Sequence, residues 1–166
     1  MLSTTQKWNL HPTDMMSTPP KVLAALKQKM RSLASSLPEY PVVMKMFGVG
    51  LALGPQLMAA IGDVHWFHSK KALVAFAGID APPYQSGKME IFSRRISKRG
   101  SPSLRRTLFL VMGTYLQQSP QDEPVYQFMD KKRSEGKPYR VYMMASANIF
   151  LRIYYATVKA YLNSLE

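Results

Sequence analysis

The chain has 166 residues, enough for one domain with its own apolar core, and its 46% hydrophobic and 19% charged residues exclude a disordered basic tail. It contains no cysteine, which excludes disulfides and cysteine-based zinc sites. Lys and Arg number 22 against ten Asp and Glu, a formal net charge of +12. A surface that repels itself this strongly points to a polyanion: DNA, RNA or an anionic membrane.

The first eighteen residues lack an apolar core and contain Pro12 and Asp14, so they do not read as a secretory signal and are expected to form a loose tail. Thr18-Pro19-Pro20 then opens a helix, 19–37, in which Leu23, Leu26, Met30, Leu33 and Leu37 recur at spacings of 3, 4, 3 and 4. That is a heptad seam two repeats long, and both a coiled coil and a helix packed on its own domain remain open. After Pro38 and Pro41 a short helix, Val42 to Phe47, leads through Gly48-Val49-Gly50 into a second helix ending near Ile61-Gly62-Asp63. This is the layout of a helix-hairpin-helix, whose glycine turn, Gly48 and Gly50, would offer backbone N–H groups to a DNA phosphate; a plain tight turn is the alternative. Pro55 either kinks the second helix or moves its start to about Gly54. The uncharged run from Phe47 to Gly62 contains four glycines and Pro55 and falls short of the roughly 20 apolar residues of a membrane span.

Ser69 is placed to cap a helix over 70–77 that buries Ala72, Leu73 and Phe76 and stops at Gly78. Residues 80–88, with Pro82, Pro83 and Gly87, are expected to be an irregular loop. Ser101-Pro102 reads as the N-cap and first residue of a helix over 102–118 that buries Leu104, Leu108, Val111 and Tyr115. A further helix runs from about Pro124 to Glu135 with Val125, Phe128 and Met129 inward. The last, from Tyr139 to Leu162, is apolar on more than one side. Its stripes are Val141, Ala145, Ile149, Ile153, Ala156 and Ala160, and Tyr154, Val158, Tyr161 and Leu165, which suits the central buried helix. Without alternating strand runs or a repeat, the fold class is all-α: a compact helical domain over 38–166 with a helix-hairpin-helix-like unit, preceded by the coiled-coil-like helix.

Seven of the 22 cations, Lys88, Arg94, Arg95, Lys98, Arg99, Arg105 and Arg106, crowd the approach to the helix that starts at Pro102. A helix N-terminus already carries about half a positive charge, so each added cation costs roughly 0.3–1 kcal/mol there at low salt. An anion relieves that repulsion, and nucleic-acid phosphate is the natural one; a solvated basic turn is the plainer reading. His65 and His68 stand near Asp63 without a third ligand at sensible spacing and read as surface residues. The ten carboxylates are scattered, so neither a complete metal site nor a cofactor is expected within this chain. Ser86, between two prolines and the basic stretch, could attack a phosphodiester only if cations held the phosphate oxygens and a base took its proton. On these grounds alone a Ser-Gly turn is the simpler account.

Several short motifs in register carry a family likeness. They are Gly48-Val49-Gly50 with Ile61-Gly62-Asp63, Phe67-x-Ser69-x-Lys71, Ala75-Phe76-Ala77-Gly78-Ile79, Gln85-Ser86-Gly87, Ile96-Ser97-Lys98-Arg99-Gly100, Leu104-Arg105-Arg106, and Gly136-Lys137-Pro138 before a helix with Leu151-Arg152. Over about residues 38–162 the chain resembles the C-terminal domain of transposases of the insertion-sequence 110/116/902 family. The resemblance implies DNA transposition or recombination through a serine nucleophile, which by motif is Ser86. It also implies a preceding RuvC-like domain whose four acidic residues bind a divalent metal such as Mg, a coiled-coil connection, and a bridge RNA that selects the DNA. That acidic domain has no counterpart in this sequence. The expectation is a truncated form, inactive until a partner or homo-oligomer supplies it, cytoplasmic and associated with the nucleoid. The alternative is a non-enzymatic DNA- or RNA-binding remnant that regulates full-length transposase.

Overall fold

Proline and serine set the starts of most helices. In the computed structural model, which describes residues 20–80 and 96–165, α1 (Pro20–Ser35) begins on Pro20, α5 (Pro102–Gln118) on Pro102 and α6 (Pro124–Ser134) on Pro124, where a missing N–H costs nothing. Between them lie α2 (Tyr40–Met44), α3 (Leu53–Ile61), a 3-10 turn over Val64–Trp66 and α4 (Lys70–Ala77); α7 (Tyr139–Asn163) closes the chain. Among the described residues there is no strand, so the fold is all-α. No described helix is long and apolar enough to cross a membrane. The tail expected over 1–18 lies outside the described residues.

Pro55 sits in the first turn of α3, so the helix starts late rather than kinking. Pro41 has the equivalent place in α2, which therefore begins two residues before the expected Val42. Ser69 and Ser101 cap α4 and α5 as expected: their hydroxyls accept from the N–H groups of Ala72 at 3.2 Å and Leu104 at 3.3 Å.

The last helix is the hub, in contact with α2, α4, α5, α6 and the 3-10 turn. Its buried line is Met143, Ala147, Phe150, Tyr154 and Val158, none more than 1% exposed. The expected stripe through Val141, Ala156 and Ala160 is displaced: Val141 is 51% exposed, and both alanines face solvent. The reason is area, since Met143, Phe150 and Tyr154 remove far more apolar surface from water than alanines do. Burial, with a smaller contribution from the Glu39 charge, pushes the Tyr154 phenol pKa well up, so this hydroxyl stays protonated. In α4 the buried residues are Leu73, Val74 and Ala77, while Phe76, expected inside, is 41% exposed and leans on Phe67 at 5.2 Å.

The leucine pattern of α1 faces outward. Ala34 is its buried contact with the domain, while Leu26 and Leu33 are 58% and 63% exposed. Arg31 ties the helix to the turn before α3, its Nε donating to the Leu51 carbonyl at 3.1 Å.

The register of α7 is testable by paired substitutions. Phe150→Ala is expected to cost about 3–5 kcal/mol and Val141→Ala less than about 0.5 kcal/mol, read from urea unfolding midpoints. Equal losses would show that the helix faces the core along its other stripe.

Candidate nucleic-acid interface

The cationic approach to α5 is built on a narrow neck of backbone. After α4, Gly78 turns the chain with φ +64°, its N–H bonded to the Ala75 carbonyl at 2.9 Å. Returning at residue 96, the chain runs back along the same segment. Ser97 N–H donates to Asp80 O at 2.9 Å, Lys98 N–H to Gly78 O at 3.0 Å, and Ser101 N–H to Phe76 O at 2.7 Å. The Ser97 hydroxyl also donates to the Asp80 carboxylate. Approach this close requires glycine at position 100, where a Cβ would stand 1.8 Å from the Phe76 carbonyl oxygen.

Arg105 lies beneath the neck. Its Nη1 donates to the carbonyls of Ala77 at 3.0 Å and Gly100 at 3.1 Å, joining the end of α4 to the start of α5. Among the described basic residues expected to contact nucleic acid, Arg105 is half-buried, while Lys98, Arg99 and Arg106 are exposed. Lys98 has φ +55°, a left-handed conformation costing a lysine roughly 1–2 kcal/mol, held by its own backbone bond across the neck. No acidic residue occupies the first turn of α5, so its N-terminal dipole and these three side chains reinforce one potential.

The neck brings the two ends of segment 81–95 together beside this cationic helix start. Ser86, Lys88, Arg94 and Arg95, and most of the loop expected over 80–88, lie outside the described residues. Gly48 is elsewhere, along the C-terminal half of α5. Gly48, at φ +76°, is so close to Tyr115 and Val111 that a Cβ would meet the Tyr115 ring at 3.1 Å. Val111 is about 13 Å along the axis from Pro102. Gly50 is exposed, with open space where a Cβ would be, whereas Gly48 is half-buried.

Asp63 accepts from the backbone N–H of His65 at 2.8 Å and pairs with its ring Nδ1 at 2.9 Å. The backbone bond, more than the ring, holds the Asp63 carboxyl below its usual pKa range. His68 is exposed. Among the described residues no three His, Asp or Glu side chains converge, so those residues do not fit the divalent ion that the resemblance implies for the complete machinery.

Sequence reasoning took Gly78 for a helix stop and Ser101-Pro102 for a helix start, and it missed that the two are in contact. The available signal was a glycine at each end, Gly78 and Gly100, bracketing a Pro-Pro-containing loop.

This arrangement lies within a matched region. Residues 40–127, a little over half of the chain, match the family model described as Transposase IS116/IS110/IS902 family, and the chain belongs to that family. It is 32% identical over 82 residues to a transposase for insertion sequence element IS1111A from Coxiella burnetii, covering 49% of this chain and 22% of that protein. Similarity to the pilin gene-inverting protein of Moraxella bovis is 30% over 118 residues, 68% of this chain and 34% of that one. With the 42 kDa protein of insertion element IS900 from Mycobacterium paratuberculosis it is 29% over 119 residues, 71% of this chain and 29% of that protein. The chain thus spans about a third or less of the length of the curated relatives it matches.

Two substitutions separate the structural from the electrostatic role of the neck. Gly100→Ala is expected to destabilise by about 3 kcal/mol, because Phe76 and Ser101 must part. Lys98→Gly is expected to stabilise by about 1 kcal/mol through relief of the left-handed backbone. Thermal unfolding of both proteins checks the signs, and a destabilised Lys98→Gly would show that the lysine side chain supports the fold.

Proposed function

We propose that this chain is the DNA-handling part of a transposase, in which Lys98, Arg99 and Arg106 hold a DNA phosphate against the start of α5 and Ser86 is the nucleophile. The observation that carries the proposal is the neck: it ties both ends of the segment bearing Ser86, with Lys88, Arg94 and Arg95, to a helix start where exposed cations and a helix dipole act together. In the proposed step the Ser86 Oγ forms a bond to phosphorus and the bond from phosphorus to the leaving sugar oxygen breaks. The serine proton ends on that oxygen. Attack by a sugar hydroxyl on the phosphoserine reverses the sequence and joins a new strand. Guanidinium groups at the non-bridging oxygens stabilise the charge that develops there.

The described residues do not gather the carboxylates for a divalent ion, so we assign metal-dependent activation to a partner subunit or domain that carries an acidic site, and no step above passes through a metal. A bridge RNA would compete for the same cations.

Six phosphate contacts, from Lys88, Arg94, Arg95, Lys98, Arg99 and Arg106, imply an affinity loss of roughly 10³-fold between about 50 and 200 mM salt. Filter binding over that range measures the slope, and salt-independent association would overturn the interface. Ser86→Ala is expected to keep binding and to lose every covalent protein–DNA adduct formed in the presence of the acidic partner, as read on denaturing gels. Adducts that persist in this variant would remove Ser86 as the nucleophile. Tight binding by the unmodified chain with no adduct under the same conditions would leave a binding module.

A further inference from the structure

A second cationic surface lies at the turn from α6 to α7, where the family likeness assigns no role. Residues 131–140 contain Lys131, Lys132, Arg133, Lys137 and Arg140 against a single acid, Glu135. Glu135 is bound to Lys132 at 2.7 Å, and no other ion pair forms in this stretch among the described residues. Lys131, Arg133, Lys137 and Arg140 are all exposed. Among them stands Tyr139, which is 46% exposed yet fixed. Its ring meets Phe109 of α5 at 5.9 Å and 80°, and Tyr142 at 5.5 Å and 88°. Tyr142 is itself buried, so the Tyr139 ring is braced from the core.

We propose that this corner binds an unpaired DNA strand, with one base stacked on Tyr139 and the flanking phosphates on Lys137 and Arg140. The proposal rests on the reading that the chain acts on DNA. A braced, half-open aromatic ring among cations is the arrangement that single strands use, because every base has a π-face and little ordering entropy is lost on stacking. A duplex offers the same phosphates, but its base faces are already stacked on each other, so the ring would gain nothing from it. The surface also continues the first interface: Arg106 lies one turn before Phe109 on the same face of α5, and Phe109 touches Tyr139. A strand leaving the α5 start along that face reaches the ring, and strand exchange produces unpaired stretches.

The test uses the full chain with oligothymidylate and a duplex of matched length. Tyr139→Ala is expected to weaken single-strand binding about 10-fold, the loss of one stacked base, and to leave duplex binding unchanged. Tyr139→Trp is expected to restore single-strand affinity, with its added indole emission quenched by the strand. Replacing Lys137 and Arg140 together by alanine should lower the single-strand salt slope by about 1.4. Equal losses on duplex and single strand, or no loss in Tyr139→Ala, would overturn the proposal. Tighter, Tyr139-dependent binding of the matching RNA would overturn its assignment to DNA. Steep salt-dependent duplex binding with an indifferent Tyr139→Ala sinks this inference alone; no salt-dependent binding of any nucleic acid sinks the proposed function with it.

Discussion

The closure of backbone on backbone between residues 76–80 and 97–101 is the constraint on which the rest of the site depends. Three main-chain hydrogen bonds cross it, and it can form only because position 100 has no side chain. Closing a loop of this length has a chain-entropy cost that grows only slowly with its length, so a few bonds at the stem suffice to tether it. The guanidinium of Arg105 satisfies two carbonyls at the stem that would otherwise be orphaned where α4 ends and α5 begins. The Nη1 of this arginine is thereby engaged by backbone. Its neighbour Arg106, about 100° further round the helix, remains in solvent. Adjacent arginines in one motif thus have different surroundings: Arg105 is bonded to carbonyls of the stem and Arg106 is exposed.

Charge is segregated in a way that follows from this geometry. The start of α5 and the turn from α6 to α7 have exposed cations with few acids. Glu39 and Asp63, in contrast, line a groove of about 570 Å³ with His65, Leu162 and Leu165. A net charge of +12 spread evenly would oppose compaction everywhere. Clustering part of it on two surfaces joined along α5 places that repulsion where a phosphate strand would relieve it.

What the sequence made legible was local. Ser69 and Ser101 were readable as caps because a side-chain oxygen two or three residues from an orphan N–H needs no tertiary partner, and Gly78 as a stop because its positive φ is intrinsic. Helices α4 and α5 came out with their observed bounds for that reason. The contents of the core were less legible. Phe76 matched the apolar face of α4 but lies outward, because its backbone carbonyl, not its ring, meets the returning chain at Ser101. In α7 apolar residues occur on every side, and periodicity alone could not choose between Val141 and Met143; the choice followed the larger apolar area on the side of Met143, Phe150 and Tyr154. Arg105 looked like a phosphate ligand, since nothing in its neighbourhood in sequence announces carbonyls contributed by residues 77 and 100. Ser86, the nucleophile that the family likeness implies, belongs to the segment whose flanking residues that stem joins and lies outside the described residues.

Rigid coupling between α5 and α7 gives the two cationic surfaces a fixed relation. Phe109 meets Tyr139 near one end of the pair, and Tyr115 meets Phe150 at 6.3 Å further along, with Phe47 at 4.8 Å on the other side of Tyr115. Because the core residues Leu108, Val111 and Met112 are fully buried between these contacts, α5 cannot slide along α7 without opening the interior. A strand held at both surfaces would therefore be held at a set separation. Fixing a phosphodiester against a nucleophile can account for several kcal/mol of a reaction barrier through orientation alone, provided the reacting atoms meet within about 3–3.5 Å. Nothing in that contribution requires the same domain to supply the proton acceptor or the metal.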